Sequence, residues 1–278
     1  MSAPARTASR TGASLETRFR ATARSEWVKF RSVRSGPAVL LSTAVVLLAG
    51  AWLICHGYRD GWATMSPAGR ASFDPVFMSL RAIEGAQLFV GALGVITVTG
   101  EYTSGLIRGT FIATPQRAQV IALKAVIFAA VVWAWCTLLS FAAFFLGQAA
   151  LSSPAKHVAI GAPGVLTAVF GGGLYLTAVG LLGLFTGVLL RRTTGALAAL
   201  FGILLVLPEA LGLLPGTLSQ HLAEFLPDNG GEEIFHLLHG GLHGGEYTLG
   251  PWPGFAVDAA WVAAAAAAAF VLVRRRDA

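Results

Sequence analysis

Six apolar runs, each roughly 18 residues or longer, constrain the fold of this chain more than any other feature of its sequence. They cover residues 37–54, 83–100, 125–146, 164–190, 195–214 and 254–273. Each run is long enough to cross a bilayer as an α-helix. A β-barrel would need short segments of alternating polarity, and these runs are continuous. We therefore predict an all-α integral membrane protein with six transmembrane helices.

The composition excludes an ordinary soluble protein. Charged residues make up 12% of the 278 positions and apolar residues 55%, whereas a soluble domain carries about 25% charged residues. The net charge of +6 could suggest a nucleic-acid partner, but the basic residues are confined to particular loops. Membrane topology explains that pattern better, so we predict a bilayer environment and no nucleic acid.

The distribution of Lys and Arg predicts which side of the membrane each loop faces. Segment 215–253 has no basic residue and five acidic ones. Of the 20 basic residues, 16 fall in segments 1–36, 101–124, 191–194 and 274–278. By the positive-inside rule, this asymmetry predicts a multi-pass protein of the plasma membrane with both termini in the cytoplasm and 215–253 outside.

The part of the chain before the first run divides into two segments. Residues 1–24 are rich in Ala, Ser, Thr and Arg, which predicts a disordered cytoplasmic tail. Residues 25–36 predict a short interfacial helix, with Trp27 and Phe30 at headgroup depth and basic side chains toward anionic lipid. The alternative is an ordinary basic flank of the first span. Residues 37–278 then form one six-span domain.

A polar segment separates the second run from the third. In helical projection Glu101, Ser104 and Arg108 share one narrow face, which leaves them available for polar contacts. Pro115 ends this turn, because the residue before a proline is disfavoured in the α region, and Arg117 leads back toward the membrane. The pattern predicts a reentrant hook on the cytoplasmic side. The alternative is a simple short loop between two helices.

The order of these residues relative to the runs resembles the ABC-2 type transporter permeases. In that family the second span often ends in Glu-Tyr, followed by Gly, a basic residue, a small hydroxyl, Pro-x-Arg and a Lys that enters the third span. The matching positions here are Glu101, Tyr102, Gly105, Arg108, Thr110, Pro115, Arg117 and Lys124. The resemblance extends over the chain from about residue 24, because the basic segment before the first span and the six-span topology also fit.

The resemblance implies an ATP-driven exporter subunit that pairs with a second permease copy or a paralogue. Its hook would couple to a separate ATP-binding subunit, which holds ATP and Mg. The coupling residues would be Glu101, Tyr102, Ser104, Gly105, Arg108, Thr110, Pro115 and Arg117. The chain itself contains no Gly-x-x-x-x-Gly-Lys-Ser/Thr phosphate loop and no hydrolase or redox constellation, so we expect neither enzyme activity nor a bound cofactor.

Two other function classes stay open. One is a non-transporting membrane scaffold or signalling subunit. The other is an ion-coupled secondary transporter, which should have paired inverted repeats and ionisable groups at the membrane midplane, where Glu209 is the one candidate. The substrate cannot be predicted from the sequence.

Pro208 and Glu209 interrupt the fifth apolar run near its predicted outer end. One interpretation is a pair of outer reentrant helices, broken at residues 207–209, with Glu209 in water. The other is a carboxylate that lines a substrate path. We expect the first, because proline removes a helical hydrogen bond. Glu84 and Asp258 lie at the outer ends of their runs, where we expect them to reach water.

The predicted outer loop is rich in histidine and glycine. His236, His239 and His243 have the spacing of one helical face, and imidazole is a common zinc ligand. The glycines between them argue against a continuous helix, so we expect an exposed loop and no metal. In the fourth run, Gly173, Gly180 and Gly187 recur every seven residues, which predicts a packing face within the bundle.

Overall fold

The computed structural model describes residues 35–103, 117–213, 222–237 and 249–276. Of these described residues 85% are helical, and no strand occurs among them. The prediction of an all-α protein is therefore confirmed. In chain order the α-helices are α1 (Ser35–Asp60), α2 (Pro67–Ala71), α3 (Pro75–Leu80), α4 (Ile83–Thr103), α5 (Arg117–Leu151), α6 (Val165–Leu190), α7 (Thr193–Gly212), α8 (Pro227–Glu232) and α9 (Pro251–Arg276).

Six of these helices, α1, α4, α5, α6, α7 and α9, are long and apolar enough to cross a membrane. They coincide with the six predicted runs. Helix α5 is the longest, with 35 residues. At 1.5 Å per residue it is about 50 Å long, so it extends well beyond a hydrocarbon core of about 30 Å.

Helix α6 is the centre of the bundle, because most of its side chains are buried and it packs against α4, α5 and α9. Its glycines allow this close approach. A Cβ atom at Gly183 would lie 3.1 Å from the carbonyl carbon of Gly91 on α4, and one at Gly173 would lie 2.8 Å from the Cα atom of Thr137 on α5. The predicted glycine packing face is confirmed, although its members contact different helices.

The two ends of the bundle carry opposite charge. The end where α4 finishes and α5 begins, called here the basic end, carries Lys124, Arg191, Arg192, Arg274 and Arg275. The opposite end, called here the acidic end, carries Glu84, Asp228, Glu232, Glu233 and Asp258 among other acidic residues, which outnumber its basic residues Arg59, Arg70, Arg81 and Lys156.

At the acidic end, the segment 222–237 folds back onto the helices. One carboxylate oxygen of Asp74 accepts hydrogen bonds from the amides of Val76 and Phe77 at 2.9 and 3.0 Å, which caps α3. The other accepts from the Leu237 amide at 2.7 Å. The ring of His236 stacks on Phe77, with centroids 3.8 Å apart. These contacts hold the segment against the bundle.

The predicted helix break at residues 207–209 is wrong. Helix α7 continues to Gly212, and a π-helical turn at Gly202–Val206 precedes Pro208. Proline has no N–H to give to the preceding turn, and the wider π spacing accommodates it without ending the helix. Glu209 is exposed on this continuous helix, and its predicted position in water stays a prediction.

The expectation that Asp258 reaches water is also wrong. Its exposed fraction is 0%, because α8 packs directly over this part of α9. Glu84 keeps partial exposure and lies 3.7 Å from Arg81, in agreement with the prediction.

Candidate functional site at the base of loop 104–116

Residues 104–116 connect the end of α4 to the start of α5 and lie outside the described residues. Of the predicted coupling residues, Ser104, Gly105, Arg108, Thr110 and Pro115 lie outside the described residues, and Arg117 is described only as the first residue of α5. The structure therefore describes the two helix ends that flank residues 104–116, called here the roots: the end of α4, where Glu101 and Tyr102 lie, and the start of α5.

A buried ion pair joins the two roots. The Lys124 ammonium donates to a carboxylate oxygen of Glu101 at 2.8 Å. The two side chains are only 8% and 11% exposed. Glu101 lies in the last turn of α4, and Lys124 lies two turns into the antiparallel α5. Glu101 is therefore bound by Lys124 inside the protein, and its predicted part in coupling stays a prediction.

Burial decides what this pair can contribute. Removing one member of a buried pair leaves an uncompensated charge and typically costs about 3–5 kcal/mol, whereas replacing both with apolar side chains is often neutral. The pair therefore adds little net stability but strongly favours one geometry. Its effect is to fix the distance and orientation between the two roots of the loop.

The turn between α6 and α7 contacts the same root. Arg191 ends α6 in a left-handed conformation, with φ 55°, and its amide donates to the Gly187 carbonyl at 2.9 Å. This conformation places the guanidinium 5.4 Å from the ring centroid of Tyr102, at cation–π distance. The end of α4 is therefore in contact with α6 as well as α5.

A hydrogen bond between two threonine hydroxyls connects the end of α4 to α7 as well. The Thr193 hydroxyl, in the first turn of α7, donates to the Thr99 hydroxyl at 2.9 Å, and Thr99 in turn donates to the Val95 carbonyl. Gly187 makes the approach possible, since a Cβ atom there would lie 3.1 Å from the Val95 oxygen and 3.4 Å from the Thr99 methyl. One helix end thus contacts three other spans through polar side chains.

The arrangement can transmit a displacement of the loop. The Glu101–Lys124 pair connects the two roots, and the Tyr102–Arg191 and Thr99–Thr193 contacts connect α4 to α6 and α7. Sequence reasoning identified Lys124 only as a matching position. It missed Arg191, Thr193 and Thr99, because the α6–α7 turn is about 90 residues away along the chain.

The other predicted site residues do not join this cluster. Pro208 and Glu209 lie near the acidic end of α7. His236 lies against Phe77, while His239 and His243 fall outside the described residues. No group of three or more His, Cys, Asp or Glu side chains suited to a metal ion occurs in the described part of the chain.

No protein-family model matches this chain, and no curated protein matches it.

Proposed function

We propose that this chain is the permease subunit of an ATP-driven ABC transporter of the ABC-2 type, working as an exporter in the plasma membrane. It pairs with a second copy or a paralogue and couples through loop 104–116 to a separate subunit that binds ATP and Mg. The basic end then faces the cytoplasm, with both termini. Six candidate spans and the family resemblance support this proposal, and the buried Glu101–Lys124 pair is the observation that carries it.

The mechanism follows from how the loop is rooted. Closure of the ATP-binding subunits would displace the loop, and the ion pair would make α4 and α5 move as one body. The contacts of Tyr102 with Arg191 and of Thr99 with Thr193 would pass that displacement to α6 and α7. Rigid-body motion of packed helices is an established way to switch access to a pathway.

A reciprocal charge exchange tests the coupling. Glu101→Lys and Lys124→Glu each put two like charges within the buried site, and we expect each to abolish stimulation of ATP hydrolysis in the purified complex. The double variant restores an opposite pair in the same place, so it should recover much of the stimulation. Asp60→Lys serves as the control and should have no effect, because Asp60 is exposed and is the last residue of α1, at the acidic end of the bundle.

The partner is identified first, by purifying the tagged chain from its native membrane. We expect a co-purifying protein that carries a Gly-x-x-x-x-Gly-Lys-Ser/Thr motif and hydrolyses ATP. An intact chain that brings down no ATP-hydrolysing protein would favour the scaffold or signalling alternative. If both single charge reversals couple normally, the assignment of this site is wrong even when the partner is present.

A further inference from the structure

Four elements bring acidic and polar side chains together at the acidic end. Asp258 comes from α9, Asp228 and Glu232 from α8, Tyr175 from α6 and Gln87 from α4. Asp258 and Tyr175 are fully buried, and Gln87 is nearly so. This set, called here the acidic cluster, has no part in the coupling site, which lies at the other end of the bundle.

Asp228 is the carboxyl group that the other polar members of the cluster hydrogen-bond. One of its oxygens accepts from the Gln87 amide at 2.9 Å and from the Tyr175 hydroxyl at 3.1 Å. The same hydroxyl also donates to the side-chain carbonyl oxygen of Gln87. A phenol carries a single proton, so Tyr175 can serve only one of these two acceptors at a time. The arrangement is one donor short.

Asp258 is the unpaired member. Neither of its carboxylate oxygens has a hydrogen-bond partner among the described residues, and both are buried. It lies over α8, because its Cβ atom is 3.4 Å from where a Cβ atom of Gly231 would lie. A buried carboxylate with no partner carries a large desolvation cost, and such a group avoids it by becoming neutral.

The surroundings supply more negative charge than positive. The elements packed against α9 present Tyr175 from α6, Asp228 and Glu232 from α8, and Glu233 from the 3-10 turn that follows it. Helix α5 carries its charged residues, Arg117 and Lys124, near the basic end. Glu84, Glu209 and the cation Arg81 also interact electrostatically with the carboxyl groups of α8.

The two α8 carboxyl groups respond to this environment in the same direction. Burial raises the pKa of Asp228, and the charge of Glu209 adds to that effect, while hydrogen bonds from Gln87 and Tyr175 oppose it. Burial also raises the pKa of Glu232, with further contributions from Asp228 and Glu84. Both groups therefore bind a proton more tightly than an exposed carboxyl group does.

The packing limits what could neutralise Asp258. A Cβ atom at Gly231 would overlap the Tyr175 ring, and one at Gly254 would lie 3.1 Å from the Cβ atom of Glu233 and 3.3 Å from the Gly230 carbonyl carbon. Helices α8 and α9 thus meet backbone to backbone at these glycines. The described residues also provide no metal-binding group. A proton requires no space.

We propose that the acidic cluster is a proton-binding site, in which Asp258 takes a proton from the aqueous side of the acidic end and thereby allows α8 to pack against α9. Protonation converts the carboxylate and a hydronium ion into a carboxylic acid and water, so no other reactant is needed. Loss of the proton would place a second negative charge beside Asp228 and separate the two helices. The site stands independently of the proposed transport function.

Infrared spectroscopy of the purified full chain in lipid nanodiscs tests the site directly. At neutral pH we expect a carboxylic-acid C=O stretching band that Asp258→Asn removes and that Asp60→Asn, an exposed control at 67% side-chain exposure, retains. The band should disappear on alkaline titration. A neutral-pH spectrum without it, or an unchanged band in Asp258→Asn, would overturn the proposal. Should Asp258→Asn fail to fold, Asp258→Glu must shift the band.

Two further measurements complete the test. The first distinguishes a bound proton from a bound metal cation, and the second distinguishes a proton that controls the packing of α8 from a buried carboxylic acid that has no such effect. Replacing choline chloride with sodium chloride at fixed pH should leave the band unchanged, whereas its loss would mean that the site binds a metal cation instead. Hydrogen–deuterium exchange over residues 227–235, corrected for the intrinsic rate, should increase severalfold as the band titrates away, and should stay flat in Asp258→Asn. Exchange that ignores the titration in the wild-type chain would refute the link to α8 packing.

Discussion

Buried charged residues are treated differently at the two ends of this protein. At the basic end, Glu101 and Lys124 neutralise each other at 2.8 Å. At the acidic end, Asp258 has no such partner among the described residues, and its neighbour Asp228 is also an acidic residue. The first arrangement pairs opposite charges, whereas the second brings acidic side chains together without a cation between them.

The positions of these residues could be predicted from the sequence, but their environment could not. Glu101 and Lys124 flank a polar segment between two apolar runs, and this places them near one membrane surface. Whether they face each other or a partner depends on the rotation of α4 against α5, which hydropathy does not encode. Asp258 is buried because α8, a six-residue helix with no hydrophobic periodicity, covers it.

Glu233 offers a test of pH-dependent stability at a single residue. It lies outside the spans, one of its oxygens is buried without a hydrogen-bond partner among the described residues, and burial, with help from the charge of Glu224, raises its pKa to about 6. Since the folded-state pKa lies above the ordinary value of 4.5, stability is fully present below that value and falls as pH rises through about 6.

We therefore expect the melting temperature of the wild-type chain to fall from acidic to neutral pH by more than that of Glu233→Gln. The shift would correspond to about 2 kcal/mol if fully buried, and screening at this half-buried site reduces it to about 1 kcal/mol. Thermal denaturation in detergent at a series of pH values measures the difference. Asp60→Asn is the control. Parallel curves for wild type and Glu233→Gln would contradict the assignment.

At the scale of the helices, length and hydropathy were sufficient to predict the six spans, and glycine spacing was sufficient to predict a packing face on α6. The continuity of α7 through Pro208 was not predictable, because a π-helical turn has no distinct signal in sequence. The sequence likewise did not predict which helices pack against α6. They depend on which glycine meets which backbone, as Gly183 meets Gly91.

The contact between α6 and α4 predicts a specific sensitivity to one methyl group. A Cβ atom at Gly183 would overlap the Gly91 carbonyl group, which is backbone and cannot rotate away, whereas a Cβ atom at Gly195 on α7 meets nothing within 4 Å. We expect Gly183→Ala to destabilise the protein by at least about 1–3 kcal/mol, the usual cost of overpacking. Gly195→Ala should be neutral or slightly stabilising. Melting curves of the two variants, and their yields after solubilisation, make the comparison.

On the scale of the whole molecule, the difference in charge between the two ends of the bundle matches the positions of the two proposed sites. The coupling site lies at the basic end and the acidic cluster at the other, and α4 and α6 contribute residues to both. Under the two proposals, protonation at the acidic end and coupling at the basic end would act on the same two helices, α4 and α6. This connection requires the two ends to face opposite sides of the membrane.

Reporter fusions test that requirement, because the positive-inside rule gives it a definite sign. A reporter placed after Arg192 or at Ala278 should report the cytoplasm, since 16 of the 20 basic residues fall in segments assigned to that side. A reporter inserted within 222–237 should report the outside, where Asp258 would exchange its proton.

Reversing the sign by moving the Arg274 and Arg275 charges to the acidic end should weaken this orientation in the same assay. An outside signal at Ala278 with a cytoplasmic signal within 222–237 would invert the molecule, place loop 104–116 beyond the reach of any ATP-binding subunit and leave the acidic cluster facing cytoplasmic pH.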